Sequence, residues 1–167
     1  MSMNDIVRQI QSTPDCRLFP PIGLPTIDPK YVLPSDLNDF YELCGGARLF
    51  QSSGLPMSII PPDEFVIAHE TIFSDVASES MNSMRDDISW SWYLIGDAKD
   101  DSQYITIDLN KERFGYCYDS FWDRHPYDSR IIAKSFSDLL LNLLIAQGKF
   151  TFWLQQGFAD LGSPYDS

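Results

Sequence analysis

Residues that do chemistry are scarce in this chain. Only two histidines, His69 and His125, stand among 167 residues. The three cysteines, Cys16, Cys44 and Cys117, form no CxxC pair. An odd set of cysteines without metal-ligand spacing reads as free thiols in a reducing compartment, not as a disulfide framework or zinc site. No GxSxG elbow and no phosphate-cradling glycine loop occurs, and neither histidine has a local cysteine motif suggesting a catalytic pair. His69-Glu70 opens like a zincin helix, yet the residue four beyond His69 is Phe73, so the second ligand is missing. No segment approaches the roughly 18 apolar residues of a membrane span. The first residues carry an acid at Asp5 and no apolar run behind it, which argues against a secretory signal. The expectation is a cytoplasmic protein with no membrane partner. Basic residues are few as well, 12 Lys and Arg against 24 Asp and Glu, for a net charge of −12. Such a balance repels phosphate backbones, so nucleic acid is not an expected partner.

What the chain does have is apolar mass, with 44% hydrophobic and 14% aromatic residues. Its length fits one domain over residues 1–167, large enough to bury a core without staples. No internal repeat or low-complexity tail interrupts it. The charge is concentrated: between Asp63 and Asp128 there are 15 acids against 5 bases. A field of that sign speeds encounter with a basic partner, although it also serves plain solubility.

Met3, Ile6, Val7 and Ile10 recur at helical spacing, and Pro14 ends that helix. Ser35 is a suitable N-cap for a second helix, with Asp36 and Asp39 in its first turns. Leu37, Phe40, Tyr41 and Cys44 then form one buried stripe, and Gly45-Gly46 offers the left-handed stop. Strands are expected at Ala47–Phe50 and Met57–Ile60. A further helix starts at Pro62-Asp63-Glu64, and residues 74–89 form an exposed loop or loose helix. Apolar and polar residues alternate from Trp90 to Ile95, from Tyr104 to Leu109 and from Phe114 to Asp119. Short polar links make these antiparallel strands with one wet face. Ile131–Ala133 is another strand. Ser135 or Ser137 caps a helix through Phe136, Leu139, Leu140, Leu143 and Leu144 that ends at Gly148. A last helix is expected from Phe150 to about Phe158. The sum is an α+β fold, a mostly antiparallel sheet of about five to six strands with helices packed on it.

Leu33-Pro34-Ser35-Asp36-Leu37 with Gly45-Gly46-Ala47-Arg48-Leu49-Phe50 resembles the N-terminal signature of the SUKH superfamily, the Smi/Knr-type cell-wall regulators and bacterial immunity proteins. Ile95-Gly96-Asp97, the Ile105–Leu109 strand, Gly115-Tyr116-Cys117-Tyr118 and Ile132-Ala133-Lys134-Ser135-Phe136 resemble later blocks in the same order, so the likeness covers about residues 30–147. Cys44 stands where the family usually has Asn, and residues 74–89 look like an insertion. The resemblance implies a binding domain without catalytic residues or cofactor, as in members that neutralise a toxin, often a nuclease, inside the producing cell.

Two clusters are candidate sites. Asp97, Asp100, Asp101 and Asp108 form the densest carboxylate group, but a calcium loop counted from Asp97 would have Lys99 third, Ser102 sixth and Asp108 twelfth, a poor fit. They are expected to be solvated acids, and no metal ligand is assigned. Tyr118, Asp119, Phe121, Trp122, Asp123 and Tyr127 place large aromatics among acids just after a strand, as a protein interface would. A fold-back of Phe121 and Trp122 onto the sheet competes with that reading. Asp97, Asp100, Asp101, Tyr118, Phe121, Trp122 and Asp123 are therefore the expected contacts for a basic protein partner, a cognate toxin. A regulatory scaffold is the alternative function, and a metal-dependent hydrolase using Asp97, Asp100 and Asp101 a second. Oligomeric state is left open, with a strand edge or the aromatic C-terminal helix as ways to pair two copies.

Overall fold

The computed structural model describes residues 1–76, 78–98 and 102–166. The chain runs α1 (Met3–Ser12), β1 (Arg17–Leu18), α2 (Ser35–Leu43), β2 (Ala47–Leu49), β3 (Met57–Ile59), α3 (Ala68–Ile72) and α4 (Ser78–Asn82). It continues with β4 (Trp92–Asp97), β5 (Tyr104–Asp108), β6 (Cys117–Asp119), β7 (Ile131–Ala133) and α5 (Phe136–Ala146). All seven strands pair antiparallel with their sequence neighbours, so the sheet is a plain meander. The α+β class is as expected; among the described residues the sheet has seven strands where about five to six were expected. Among the described residues, no helix is long and apolar enough to cross a membrane.

Helices α1, α2 and α5 cover one face of the sheet. Ile6 and Ile10 from α1, Leu37 and Phe40 from α2, and Phe136, Leu139 and Leu140 from α5 are fully buried. The Phe40 and Phe136 rings meet edge to face at 5.0 Å, a geometry that aligns ring edge with ring face. Capping follows local chemistry. Ser2 and Asp5 form a reciprocal box on α1, and Ser135 accepts from the Asp138 amide at the start of α5.

The cap expected at Ser35 is not formed. Pro34 holds the N-cap position of α2 and makes no side-chain bond. Asp36 instead accepts from the Ser137 amide at 2.8 Å and its hydroxyl at 3.0 Å, so a carboxylate of α2 satisfies the open first turn of α5. Gly45-Gly46 does not end α2 in a left-handed turn either, for Cys44 is the extended C-cap. The pair is needed for close approach. A Cβ on Gly45 would run into the Pro20 carbonyl, and Gly46 takes a φ of 109°, a conformation open chiefly to glycine. The backbone bonds Phe19 N to Gly46 O and Gly45 N to Phe19 O lock this crossing.

The largest departure concerns the wet face. The centre of the sheet is buried on both sides: every residue from Trp92 to Gly96 and from Ile105 to Asp108 is interior. Trp92, Tyr118 and Ile131 form a second core with Ile88, Tyr116, Leu161 and Tyr165. Its cover comes from 3-10 turn Ile88–Ser91 and the chain near Leu161 and Tyr165. Trp90 therefore belongs to a turn, not to the strand. The expected helix from Phe150 to Phe158 shrinks to a 3-10 turn, Phe152–Leu154.

Candidate functional site

Thr106 and Asp108 occupy the alternating positions that looked solvated, yet both are fully buried. They are satisfied instead of wet. Thr106 and Ser120 hydroxyls lie 2.8 Å apart. Asp108 accepts from the Ser91 hydroxyl (2.6 Å), the Tyr118 hydroxyl (2.6 Å), Arg113 Nε (3.0 Å) and the Asn110 amide (2.9 Å). A buried carboxylate needs such a full set of donors. Asp119, also fully buried, accepts from Arg124 Nη1 and from Trp153 Nε1 at 2.9 Å.

These bonds hold residues 120–130 as a structured loop. Its inward residues are Ser120, His125, Pro126 and Ser129, with Phe121 half-buried against Trp153 at 5.8 Å. Its outward residues are Trp122, Asp123, Tyr127, Asp128 and Arg130, the last paired with Asp160; Trp122 is 64% and Tyr127 63% exposed. The Trp122 amide donates to Ser102 O at 3.2 Å, which ties the loop to the end of the β4–β5 hairpin. Beside that tie lies a cavity of about 190 Å³ whose walls include Leu55, Ala98, Gln103, Phe121, Phe150 and Trp153.

The residues singled out from the sequence thus divide. Phe121, Trp122 and Asp123 stand together on the loop. Asp97 sits half-buried at the end of β4, opposite Tyr104 and Ser58. Asp100 and Asp101 lie outside the described residues. Tyr118 is a correction: it is fully buried, its ring 4.3 Å from Trp92 and its hydroxyl on Asp108, so it offers no surface to a partner. Of the two rings expected either to fold back on the sheet or to face a partner, Phe121 is half-buried against Trp153 and Trp122 is exposed. Cys117 is fully buried, and burial pushes its thiol well up, away from the thiolate a nucleophile needs. Among the described residues no group of three or more His, Cys, Asp or Glu is placed to hold a metal.

A buried polar chain escaped the sequence. His69 and His125, 56 positions apart, meet with His125 Nε2 3.0 Å from His69 Nδ1. His69 Nε2 lies 2.8 Å from the Ser89 hydroxyl. Ser89 donates both its hydroxyl and its amide to Asp87, which also accepts from the Tyr165 hydroxyl at 2.7 Å. Burial would raise the Asp87 carboxyl, but these donors outweigh it and hold it below its usual range. Burial pushes His69 down to about 4 and His125 down to about 2, so both imidazoles are neutral at pH 7. No local signal in the sequence could have found it, because the two histidines stand 56 positions apart in different elements.

Residues 30–142 match the model of the SMI1/KNR4 family (SUKH-1). Over 169 aligned residues the chain is 44% identical to a Bacillus subtilis (strain 168) protein named Immunity protein YokJ, covering 99% of this chain and 97% of the relative. No solved structure matches.

Proposed function

The chain belongs to the SMI1/KNR4 family (SUKH-1), and from that premise we propose that it is an immunity protein, a non-enzymatic partner that neutralises a cognate toxin by direct binding. The observation that carries this is the 44% identity to an immunity protein along essentially the whole of both chains. Chemistry agrees with it. The two histidines are consumed in an interior network, and the thiols of Cys44 and Cys117 are sealed in the core.

The partner-facing surface of this proposal is the outward side of loop 120–130 with the adjoining hairpin end. Trp122 and Tyr127 supply broad rings of the kind that anchor interfaces, and Phe121 backs the loop from below. Asp97, Asp100, Asp101 and Asp123 supply the charge that would steer a basic toxin. Burying Asp108 with Arg113 and Asp119 with Arg124 removes acids and bases in equal number. The excess of acids between Asp63 and Asp128 therefore falls on the remaining side chains.

Co-expression with a candidate toxin encoded beside it tests the proposal. The expected result is survival of cells that otherwise die, with the two proteins purifying as one complex. Death despite soluble accumulation of this chain, with no complex on gel filtration, would overturn it.

A further inference from the structure

We propose that the His69–His125 contact is a proton-sensitive latch that positions loop 120–130, holding it to α3 only while both imidazoles are neutral. The interior network fixes where its protons are. Asp87 is a pure acceptor and takes the hydroxyl protons of both Ser89 and Tyr165. The Ser89 oxygen is left with a lone pair, so His69 donates to it from Nε2. His69 Nδ1 must then be the acceptor, and His125 donates to it from Nε2. Among the described residues, His125 Nδ1 is left as a buried acceptor with no donor.

An added proton has no good place in this arrangement. On His69 Nδ1 it would set two N–H groups head to head. On His125 Nδ1 it would create a buried donor with no acceptor, among Phe73 and Trp92. Either costs the pair its contact, because a charged buried imidazole lacking partners is strongly disfavoured. The surroundings do not compensate. From the 3-10 turn the facing ionisable group is Asp87, reached through Ser89, and from the C-terminal segment Tyr165, which is bonded to Asp87. Phe73 and Trp90 pack on His69 itself. Arg85 lies over the Trp90 ring, and Arg124 is paired with Asp119. Asp87 is the group able to attract a charge to His69, and burial outweighs it.

Opening the latch frees the loop beyond Arg124, while the Arg124–Asp119 pair and the Trp122–Ser102 bond keep residues 119–124 in place, which would move Tyr127 and Asp128 relative to Trp122. The latch stands on the interior geometry alone; only its effect on toxin binding rests on the proposed function. The test therefore uses the protein without a partner. Imidazole nitrogen NMR on the full chain should show both rings as neutral, Nε2-protonated tautomers from pH 7 to 5, with no titration near 6.5. Amide exchange of His125 and Asp128 should rise together with the first imidazole protonation. His69→Gln keeps an amide oxygen to accept from His125 Nε2 but removes the ring that takes the first proton, and should lower the pH of loop opening by about one unit. Titration of either ring at an ordinary midpoint with the loop amides still protected would overturn the latch. So would an unchanged opening midpoint in His69→Gln. Should that variant fail to fold, tautomers and exchange in the unsubstituted protein still decide. Failure of the toxin test at pH 7 would leave this result untouched.

Discussion

Beneath α1, α2 and α5 the sheet is closed by aliphatic and aromatic side chains from three helices that carry regular apolar stripes. On its opposite side the cover is a 3-10 turn, a loop and the C-terminal segment, fastened by carboxylates, hydroxyls and imidazoles around Trp92, Tyr118 and Ile131. Apolar burial is non-directional and nearly indifferent to pH, whereas buried polar bonds are worth little when satisfied and cost a great deal when one partner is lost. The helical side should therefore set global stability. The loop side should set the position of whatever faces a partner, and should respond to protons.

Breaking the helical side gives the largest effect. Phe136→Ala removes a fully buried ring that abuts Phe40, and should cost about 3–5 kcal/mol. Urea unfolding should show a lower midpoint with all regions melting together. A cost under about 1 kcal/mol would mean that this face is not the main core.

On the loop side, Asp108→Ala should cost about 3 kcal/mol, because it strands Arg113, Ser91 and Tyr118 without their shared acceptor. Its signature differs from that of Phe136→Ala. Amides of Ser91, Asn110 and Arg113 should lose protection before those of α1 and α5. Uniform loss of protection would erase the distinction between the two faces.

Much of the helical side was legible because periodicity reports it directly. Met3, Ile6, Val7 and Ile10 recur at helical spacing and are the buried residues of α1, and Ser135, one of the two serines offered as cap, is the N-cap of α5. Strand β1 was invisible, since two residues carry no period. The second core was misread for a definite reason. Alternation tells that neighbouring residues face opposite ways, not whether water or protein covers each side. Thr106 and Asp108 looked wet for that reason, and Tyr118 was placed with the partner contacts. In the candidate site, Phe121, Trp122 and Asp123 were legible as a local cluster. The His69–His125 contact was not, because only the meander and its loops bring them together.

Acidification separates the two faces next. Both imidazoles have folded pKa values depressed below the unfolded value of about 6.5. The unfolded chain therefore binds protons first as pH falls. Their contribution is complete above about 6.5 and declines below it, by about 1.4 kcal/mol per pH unit for each ring. For His69 the decline ends near its folded value of about 4. Urea midpoints between pH 7 and 5 should fall less steeply in His125→Gln than in the unsubstituted protein. Parallel slopes would place the pH dependence elsewhere.

The smallest effect on the fold should come from the outward side of loop 120–130, and there the two readings of its aromatics part company. Trp122 is 64% exposed, and among the described residues its indole has no ring neighbour of the kind that Phe121 finds in Trp153. Trp122→Ala and Asp123→Lys should each change stability by less than about 0.5 kcal/mol. If the loop meets the toxin, the same Trp122→Ala should weaken the complex by about 2 kcal/mol, roughly 30-fold in Kd. Asp123→Lys should chiefly slow association with a basic partner and flatten its dependence on salt, as a rim charge does. Surface-plasmon kinetics at two salt concentrations would read both effects. Unchanged rates for both variants in a complex that still forms would move the binding surface off this loop, leaving Trp122 an exposed ring with no partner.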